Sequence, residues 1–379
     1  MKKHVFPQFS ILKTCLDQYL YFIIYGDDFS IEVQGLTICN IAGYTGNRQA
    51  APILIDMMRR EEGYWGGYYT GIATVDNGRV YHAKVVGDVE TLIRETDALR
   101  LPGTTGIIHS RTPSGGDREW AYPFVSCDGK VAFVENGIIG SFEKTTDFPA
   151  AAMDLKRKGH KLSSCTTDEI KGYPRLPDGT SVHYSEVQCH LLEELLYSGL
   201  QPLEAMRELL RRWPCEDVGV AIHRDHPNRI FAARFNQPMT LARAKGEAFI
   251  STTPLAFPEQ DFIGVDVLPA NACYEISTDG LSVINAIDPA VRVCPITPAV
   301  FAQALQDVTA KLQAAKEPVP FSVVAETCKF PQGGIPQMAL LGYLVLESLL
   351  KSGKVVQTTI RKDGMTAGLT APVFMISWK

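Results

Sequence analysis

Cys39 opens the run CNIAGYTG, in which an apolar strand leads into a glycine-rich turn. A thiolate is the strongest nucleophile that proteins use near neutral pH, but an unassisted cysteine with a pKa of about 8.5 is mostly protonated there. A free α-amino group, with a pKa of about 8, can accept the thiol proton, whereas a lysine with a pKa of about 10.4 cannot. Nucleophilic chemistry at Cys39 would therefore favour a cysteine that is the first residue of its chain.

Each candidate residue also has an ordinary structural interpretation. A cysteine in a glycine-flanked apolar strand is most often a small buried hydrophobic residue. The pair Asn136-Gly137 is typical of a hairpin turn. An arginine beside a Pro-Ser-Gly-Gly loop, such as Arg111, is usually solvated, and His109 in IIHSR is typical of a packed strand residue. These residues gain a functional interpretation only as a set.

The elements around them predict an α+β domain. Helical spacing of apolar residues indicates helices within 51–62, 148–158 and 185–213. Short strands are predicted before and after these helices. The strand segments are TGIATV, RVYHAKVVG, TGIIHSR, VAFVENGIIG, VGVAIHR, RIFAARF, AFISTT and ACYEIS. This order predicts two sheets with helices packed outside them.

Changes in composition divide the chain into three parts, which are an N-terminal extension or propeptide (1–38), a main domain (39–288) and a C-terminal unit (289–379). Prolines become frequent after residue 288, which marks a new unit. This unit contains two helical patterns and two extended segments around an Asp-Gly turn, a hairpin signal. Helices followed by such a hairpin are compatible with a winged helix, and Lys351, Lys354, Arg361 and Lys362 cluster around its predicted wing.

The bulk composition excludes several classes of protein. The 379 residues carry a net charge of −5, which gives no global attraction to nucleic acid or to an anionic membrane. The apolar stretch at 20–25 is too short to span a bilayer, so we expect neither a signal peptide nor a membrane anchor. Nine scattered cysteines lack a Cys-x-x-Cys pair, and the histidines lack ligand-like spacing, so we expect no disulfide framework, no metal and no cofactor. We expect the protein to reside in a reducing cytoplasm.

Several motifs together resemble the class II glutamine amidotransferases, the N-terminal nucleophile (Ntn) hydrolase group that includes the glutaminase domain of glucosamine 6-phosphate synthase. CNIAGYTG is similar to that family's terminal Cys-x-x-x-Gly-Tyr run. HSRTPSGG resembles its His-Thr-Arg-Trp-Ala-Thr-His-Gly, and VENGIIGSFE resembles its His-Asn-Gly-Ile-Ile-Glu-Asn. LKRKGHKLSS, EVQCHLLEELL, RIFAARFNQPM and EAFISTTPLAFPE follow in the family's order. The resemblance covers nearly all of 39–288 and implies a four-layer α-β-β-α Ntn-hydrolase sandwich.

The resemblance also implies roles for individual residues. Cys39 would attack the side-chain amide of glutamine and form a γ-glutamyl thioester with loss of ammonia. Asn136 and Gly137 would supply the oxyanion hole, one through its side-chain amide and one through its backbone N–H. Arg111 would hold the substrate's α-carboxylate in a bidentate fork, assisted by Ser114 and Gly115.

The sequence departs from the family pattern at several positions. Thirty-eight residues precede Cys39, so we expect either that a propeptide is removed or that the start is set too early. Tyr184 and Ser185 stand where the family has the aspartate that binds the substrate's amino group, and 165–183 is inserted before them. Asp168 in this segment is our candidate to replace that carboxylate, although a short acidic residue is more often a helix cap or a solvated turn. Thr112 replaces a tryptophan and Tyr122 a histidine.

The sequence thus favours a class II amidotransferase that releases ammonia from glutamine or a related amide for a separate synthase subunit. Residues 289–379 are too few for two sugar-binding domains, so we expect no glucosamine 6-phosphate synthesis by this chain alone. One alternative is a regulatory or nucleic-acid-associated protein with a degenerate amidotransferase sensor domain. Another is an amidase of the same fold that acts on a different γ-glutamyl amide. Assembly into a homo-oligomer stays open.

Overall fold

The computed structural model describes residues 38–170, 172–173, 175–285, 292–331 and 333–379. The predicted N-terminal extension, apart from Ile38, and the predicted boundary at 288–289 lie outside the described residues. Within the described residues, no helix combines the length and the apolar composition that crossing a membrane requires.

The main domain is built on thirteen antiparallel strands. In chain order they are β1 (Asn40–Thr45), β2 (Tyr69–Asp76), β3 (Arg79–Val86), β4 (Thr105–Arg111), β5 (Phe124–Val125), β6 (Val131–Ile138), β7 (Glu216–His223), β8 (Arg229–Arg234), β9 (Thr240–Ala244), β10 (Glu247–Ser251), β11 (Gly264–Val267), β12 (Ala272–Ser277) and β13 (Leu281–Asn285). The first sheet has seven strands in the order β11-β9-β10-β1-β4-β2-β3, and the second has six in the order β13-β12-β8-β7-β6-β5. β1 lies at the centre of the first sheet, so hydrogen bonds to β4 and β10 fix both of its edges.

Helices cover the outer faces of the two sheets. They are α1 (Ala50–Trp65), α2 (Val89–Glu95), α3 (Phe148–Arg157), α4 (Tyr184–Tyr197) and α5 (Pro202–Arg212), and short 3-10 turns lie at Ala98–Arg100, Arg118–Trp120, Gly140–Phe142 and Pro254–Ala256. The helical pattern predicted for 185–213 is thus two helices, interrupted between Tyr197 and Pro202.

The alternation of side chains along β1 defines the layers. Ile41 packs in the core between the two sheets, in one apolar cluster with Ile107 and Ile250. Its neighbour Ala42 points the other way, into the cluster that Leu54 of α1 joins. Because both faces of the strand are covered, the predicted four-layer α-β-β-α sandwich is confirmed.

Gly43 allows the two sheets to approach closely near the start of β1. A Cβ atom at this position would lie 2.7 Å from Cγ1 of Ile250 and 3.2 Å from Cδ1 of Ile230. Ile230 belongs to β8 of the second sheet, so a larger residue at position 43 would push the sheets apart.

The C-terminal unit contains α6 (Pro298–Ala314), β14 (Val319–Pro320), α7 (Phe321–Thr327), α8 (Met338–Lys351), β15 (Val355–Asp363) and β16 (Thr370–Trp378). Its three strands pair in the order β14-β16-β15. The two long helices and the hairpin were predicted from the sequence, whereas β14 and α7 are too short to give a periodic signal.

Aromatic packing attaches this unit to α1. The ring of Tyr64 has its centroid 4.8 Å from Phe374, 5.2 Å from Phe321 and 5.4 Å from Tyr343. Its hydroxyl donates to Gln357 Oε1 at 2.7 Å. Ile38 is buried in the same apolar cluster, so the C-terminal unit also packs against the chain segment that leads into Cys39.

Glu62 on α1 is a buried carboxyl group. Its Oε2 accepts hydrogen bonds from the Val89 N–H at 3.0 Å and the Ser110 hydroxyl at 3.4 Å. Burial, helped by the nearby Asp88 carboxylate, raises the pKa of Glu62 to about 8 despite these bonds. The folded state therefore holds the proton of Glu62 more tightly than the unfolded chain does.

This pKa predicts a loss of stability as the pH rises. The contribution of Glu62 is fully present below about 4.5, its ordinary pKa, and is lost as the pH rises through about 8, because unfolding then releases a proton. In urea titrations, Glu62→Gln should have a smaller fall in unfolding free energy between these pH values than the parent chain. Glu259→Gln, at an exposed position, is the control. Equal slopes for the parent and Glu62→Gln would refute the assignment.

Candidate active site

Cys39 lies immediately before β1, at the edge of the space between the two sheets, and is half-buried. Asn40 is paired with Ser110 at the end of β4, which brings Cys39 beside the residues that follow Ser110. Its sulfur lies 4.0 Å from Thr112 Oγ1. The register of β1 and β4 therefore positions the thiol.

Asn136 contacts Cys39 from the second sheet. Its Oδ1 accepts a hydrogen bond of 2.7 Å from the backbone N–H of Cys39. Its Nδ2 is buried and has no hydrogen-bond partner in the described part of the chain. A buried amide donor without a partner costs free energy, and next to a thiol it can serve a developing oxyanion.

Gly137 follows Asn136 on β6 and faces Asp217 on β7. A Cβ atom here would lie 2.4 Å from the Glu216 carbonyl oxygen and 2.5 Å from Asp217 Cα. Because these are backbone atoms, a larger residue would have to displace the strand. Glycine thus keeps β6, and with it Asn136, in place.

The electrostatic environment of Cys39 is mixed. Burial raises the pKa of its thiol, and the Glu135 carboxylate acts in the same direction. The Thr112 hydrogen bonds and the positive charge of Arg111 oppose this shift but do not overcome it. The thiol is therefore neutral near pH 7, and formation of the thiolate requires a base.

Arg111 is buried, and its guanidinium is held by its own loop. Nε donates to Ser114 Oγ at 2.8 Å, and the terminal nitrogens donate to the carbonyl oxygens of Trp120 at 2.6 Å and Gly115 at 2.8 Å. The ring of Tyr69 lies 4.5 Å from the guanidinium carbon, in cation–π geometry. The structure thus brings together Arg111, Ser114 and Gly115, with the last two as acceptors for the arginine. All three nitrogens of the guanidinium thus donate within this loop.

The inserted segment covers this loop. Ile170 lies close enough to Gly115 that a Cβ atom there would be 3.2 Å from its side chain. Tyr173 packs edge-on against Trp120 at 4.9 Å, and its hydroxyl is 3.0 Å from His183 Nε2. Burial raises the pKa of Tyr173 to about 12, although the Arg111 charge opposes the shift.

Asp168 lies in the same segment but on its exposed side. Its backbone N–H donates to Thr166 Oγ1 at 3.2 Å, a local turn contact. The structure therefore brings the segment to the site through Ile170 and Tyr173.

A chain of buried polar groups below the site was not identified from the sequence. The Ser185 hydroxyl donates to Glu135 Oε2 and lies 2.5 Å from the Tyr122 hydroxyl, which therefore donates to Ser185. The Tyr122 ring lies 3.9 Å from that of His109. The available signal was that Tyr122 and Ser185 both stand where the resembling family has other polar residues.

Glu135 and Asp217 form a buried acidic pair beside Gly137. Burial raises the pKa of Glu135 to about 7, and burial together with the Glu135 charge raises the pKa of Asp217 well above its usual range. Ser185 and Gln188 of α4 donate to the two carboxyl groups, Gln188 at 3.3 Å from Asp217 Oδ2. These contacts attach the start of α4 to the strands that carry Asn136 and Gly137.

The fold is that of the Ntn-hydrolase glutamine amidotransferases. The structure is similar to a glutamine phosphoribosylpyrophosphate amidotransferase from B. subtilis, with a TM-score of 0.53, 13% identity, and coverage of 84% of this chain and 66% of that one. A second amidotransferase-fold structure, described as the allosteric regulatory enzyme of purine biosynthesis, matches with a TM-score of 0.53, 15% identity and the same coverage. The predicted fold is thereby confirmed.

Sequence comparison identifies particular relatives. The glutamine–fructose-6-phosphate aminotransferase [isomerizing] of Pyrococcus horikoshii is 31% identical over 222 residues, which are 58% of this chain and 33% of the relative. That of Streptomyces coelicolor is 31% identical over 249 residues, 65% of this chain and 36% of the relative. The chain thus spans about a third of the length of these relatives, and no protein-family model matches it. The resemblance to class II glutamine amidotransferases is confirmed over this part of the chain.

The Gly137→Ala change tests the close approach of β6 and β7. The added methyl group meets backbone atoms of Glu216 and Asp217, so we expect it to reduce the free energy of unfolding by about 1–3 kcal/mol, as overpacking does. Gly280→Ala is the control, because no heavy atom lies within 4 Å of its added Cβ. Urea denaturation measures both; an unchanged midpoint for Gly137→Ala would contradict the packing described here.

Proposed function

We propose that this chain hydrolyses the side-chain amide of glutamine, with Cys39 as the nucleophile after it has become the first residue. The observation that carries the proposal is the 2.7 Å contact between the Cys39 backbone nitrogen and Asn136 Oδ1, in an amide whose buried Nδ2 has no partner among the described residues. Nucleophile, base and oxyanion donor are then adjacent, which an isolated structural cysteine would not need.

The chemistry follows from these positions. The freed α-amino group of Cys39 takes the thiol proton, and the sulfur attacks the amide carbon of the substrate. Asn136 Nδ2, with the Gly137 N–H, stabilises the oxyanion while the carbon–sulfur bond forms. The protonated amine then gives its proton to the leaving nitrogen, the carbon–nitrogen bond breaks and ammonia departs. Water attacks the γ-glutamyl thioester in the same way, which releases glutamate and restores the thiol.

Recognition of glutamine is assigned to the loop after β4. The positive charge of Arg111, which its own loop holds in place, would bind the substrate's α-carboxylate. Ser114 and Gly115 hold the guanidinium at a fixed angle, which reduces the entropy lost on binding. We retain Asp168 as the candidate for the substrate's amino group, because its segment reaches Gly115 through Ile170.

The proposed mechanism makes a prediction about the N-terminus of the active protein. As written, the Cys39 nitrogen is part of the Ile38–Cys39 peptide bond and cannot act as a base. Intact-mass analysis of active protein from cells should therefore find a chain that begins at Cys39. A chain with a substitution that keeps this bond uncut should lack ammonia release, and full activity of the uncut chain would overturn the mechanism.

The second prediction concerns catalysis. In protein that begins at Cys39, Cys39→Ala should abolish release of ammonia and glutamate from glutamine. Asn136→Ala should lower kcat by about 10²- to 10³-fold, as loss of one oxyanion donor does. Cys294→Ala, a buried cysteine in the segment before α6, is the matched control. Equal rates for the parent chain and Cys39→Ala in a coupled ammonia assay would refute the proposal.

A second amide substrate is the nearest alternative. Thr112 and Tyr122 replace residues that the resembling family uses, and the inserted segment narrows the approach to Arg111. Comparison of kcat/KM for glutamine and for other γ-glutamyl amides decides between them.

The ammonia would pass to a separate synthase subunit, and the free thiols in the described part of the chain support a reducing cytoplasm as its location. We also propose that the chain assembles into a homo-oligomer.

The nucleic-acid alternative has weaker support. In a winged helix the third helix enters the DNA groove, and the corresponding α8 is largely buried, with Tyr343 packed against Tyr64. Of the predicted basic cluster, Arg361 is paired with Asp88 and Lys351 with Glu347. A salt-dependent gel shift would revive this alternative.

A further inference from the structure

Four side chains that the proposed hydrolysis does not use converge at one point. They are Cys127 in the turn between β5 and β6, His160 after α3, and His190 and Glu193 on α4. One ligand atom of each lies within 4.8 Å of all the others. Neither the proposed hydrolysis nor the described fold explains why these particular atoms face one another.

Four of the six distances between these ligand atoms are close to those between ligands of one tetrahedral ion. His160 Nδ1 and His190 Nδ1 are 3.3 Å apart, and Glu193 Oε2 lies 3.2 Å from the first and 2.9 Å from the second. Cys127 Sγ lies 3.7 Å from His190 Nδ1. Zinc–nitrogen bonds of about 2.0–2.1 Å and zinc–sulfur bonds of about 2.3 Å place tetrahedral nitrogens about 3.3 Å apart and a nitrogen–sulfur pair about 3.6 Å apart.

The two histidine rings present the same kind of atom to the cluster. His160 Nε2 lies 3.0 Å from Glu194 Oε1, whereas its Nδ1 faces the cluster. The Nδ1 atoms of His160 and His190 both lie close to Glu193 Oε2. One nitrogen of each ring and one carboxylate oxygen therefore converge.

The same atoms do not form a catalytic triad. In such a triad the histidine contacts the nucleophile with one ring nitrogen and the carboxylate with the other. Here Cys127 Sγ and Glu193 Oε2 both approach Nδ1 of His190, whereas its buried Nε2 has no partner among the described residues. A proton cannot pass from the sulfur through the ring to the carboxylate.

We infer that Cys127, His160, His190 and Glu193 bind one Zn²⁺ ion, a site that goes beyond the proposed amide hydrolysis and does not depend on it. The ligands are a thiolate, two imidazoles and a carboxylate, a soft and borderline set that favours zinc over magnesium or calcium. Four protein ligands leave no open position, so the ion is structural. This inference departs from the expectation of no metal, which rested on sequence spacing.

Outer contacts orient three of the four ligands. Glu194 holds the His160 ring, a carboxylate–histidine–metal arrangement. The Lys161 N–H lies 3.3 Å from Cys127 Sγ and stabilises its negative charge. The Cys127 and Asp128 N–H groups, each at 3.0 Å, hold the Glu193 carboxylate. Cys127 is exposed, which gives the ion a path from solvent.

Metal analysis and cobalt spectroscopy test the site on the full chain. Protein made without added metal should contain about one zinc per chain by mass spectrometry. After exchange for Co²⁺, the parent should show intense tetrahedral d–d bands and a thiolate-to-cobalt charge-transfer band. A cobalt-loaded parent without that band, or a metal-free chain that binds neither ion, would overturn the inference, and neither result requires a variant.

Variants then assign the ligands. Cys127→Ser should remove the charge-transfer band and weaken zinc binding, and Glu194→Gln should weaken it about 10- to 100-fold, as loss of an outer partner does. Cys165→Ser, a half-buried cysteine outside the cluster, should bind zinc like the parent. Equal zinc affinity for Cys127→Ser and the parent would refute this ligand set.

Discussion

The distance between the two sheets is the constraint on which the site depends. Cys39 precedes a strand of the first sheet, and Asn136 lies on a strand of the second, yet a hydrogen bond of 2.7 Å joins them. Displacement of reacting groups by about 1 Å can cost a large part of a catalytic rate. Gly43 lets the sheets approach, and Gly137 lets β6 lie against β7, so two residues without side chains keep Asn136 within hydrogen-bond distance of Cys39.

The groups around the Cys39 thiol have opposing effects on its pKa. Burial disfavours the thiolate, and Glu135 adds to the effect, whereas the guanidinium of Arg111 favours it. Arg111 keeps its charge in a buried position because carbonyl and hydroxyl oxygens of its own loop accept hydrogen bonds from the guanidinium. The ring of Tyr69 also faces the guanidinium plane. A neutral resting thiol therefore depends on a base for its activation.

The sequence predicted the structural features that depend on residues close together in the chain. The sandwich, the long helices, the terminal hairpin and the loop that joins Arg111 to Ser114 and Gly115 all follow from local patterns or from motifs in order. It did not predict α7, which is seven residues long and depends on tertiary packing for its stability. Nor did it predict the contact between Tyr122, Ser185 and Glu135, whose members lie up to 63 residues apart. Asp168 was selected for its charge but is exposed, whereas Tyr173 of the same segment packs against Trp120, because an aromatic ring gains more from such contact.

The metal cluster and the active site share one helix. Near the start of α4, Ser185 binds Glu135 on β6, and eight residues later Glu193 reaches the turn that precedes the same strand. These attachments are separated by about 12 Å along the helix axis. A helix held to one strand at two points cannot slide or rotate against it without breaking either a buried hydrogen bond or a zinc ligand. The inferred ion would thereby fix the strand that carries Asn136 and Gly137, the residues proposed to serve the reaction at Cys39.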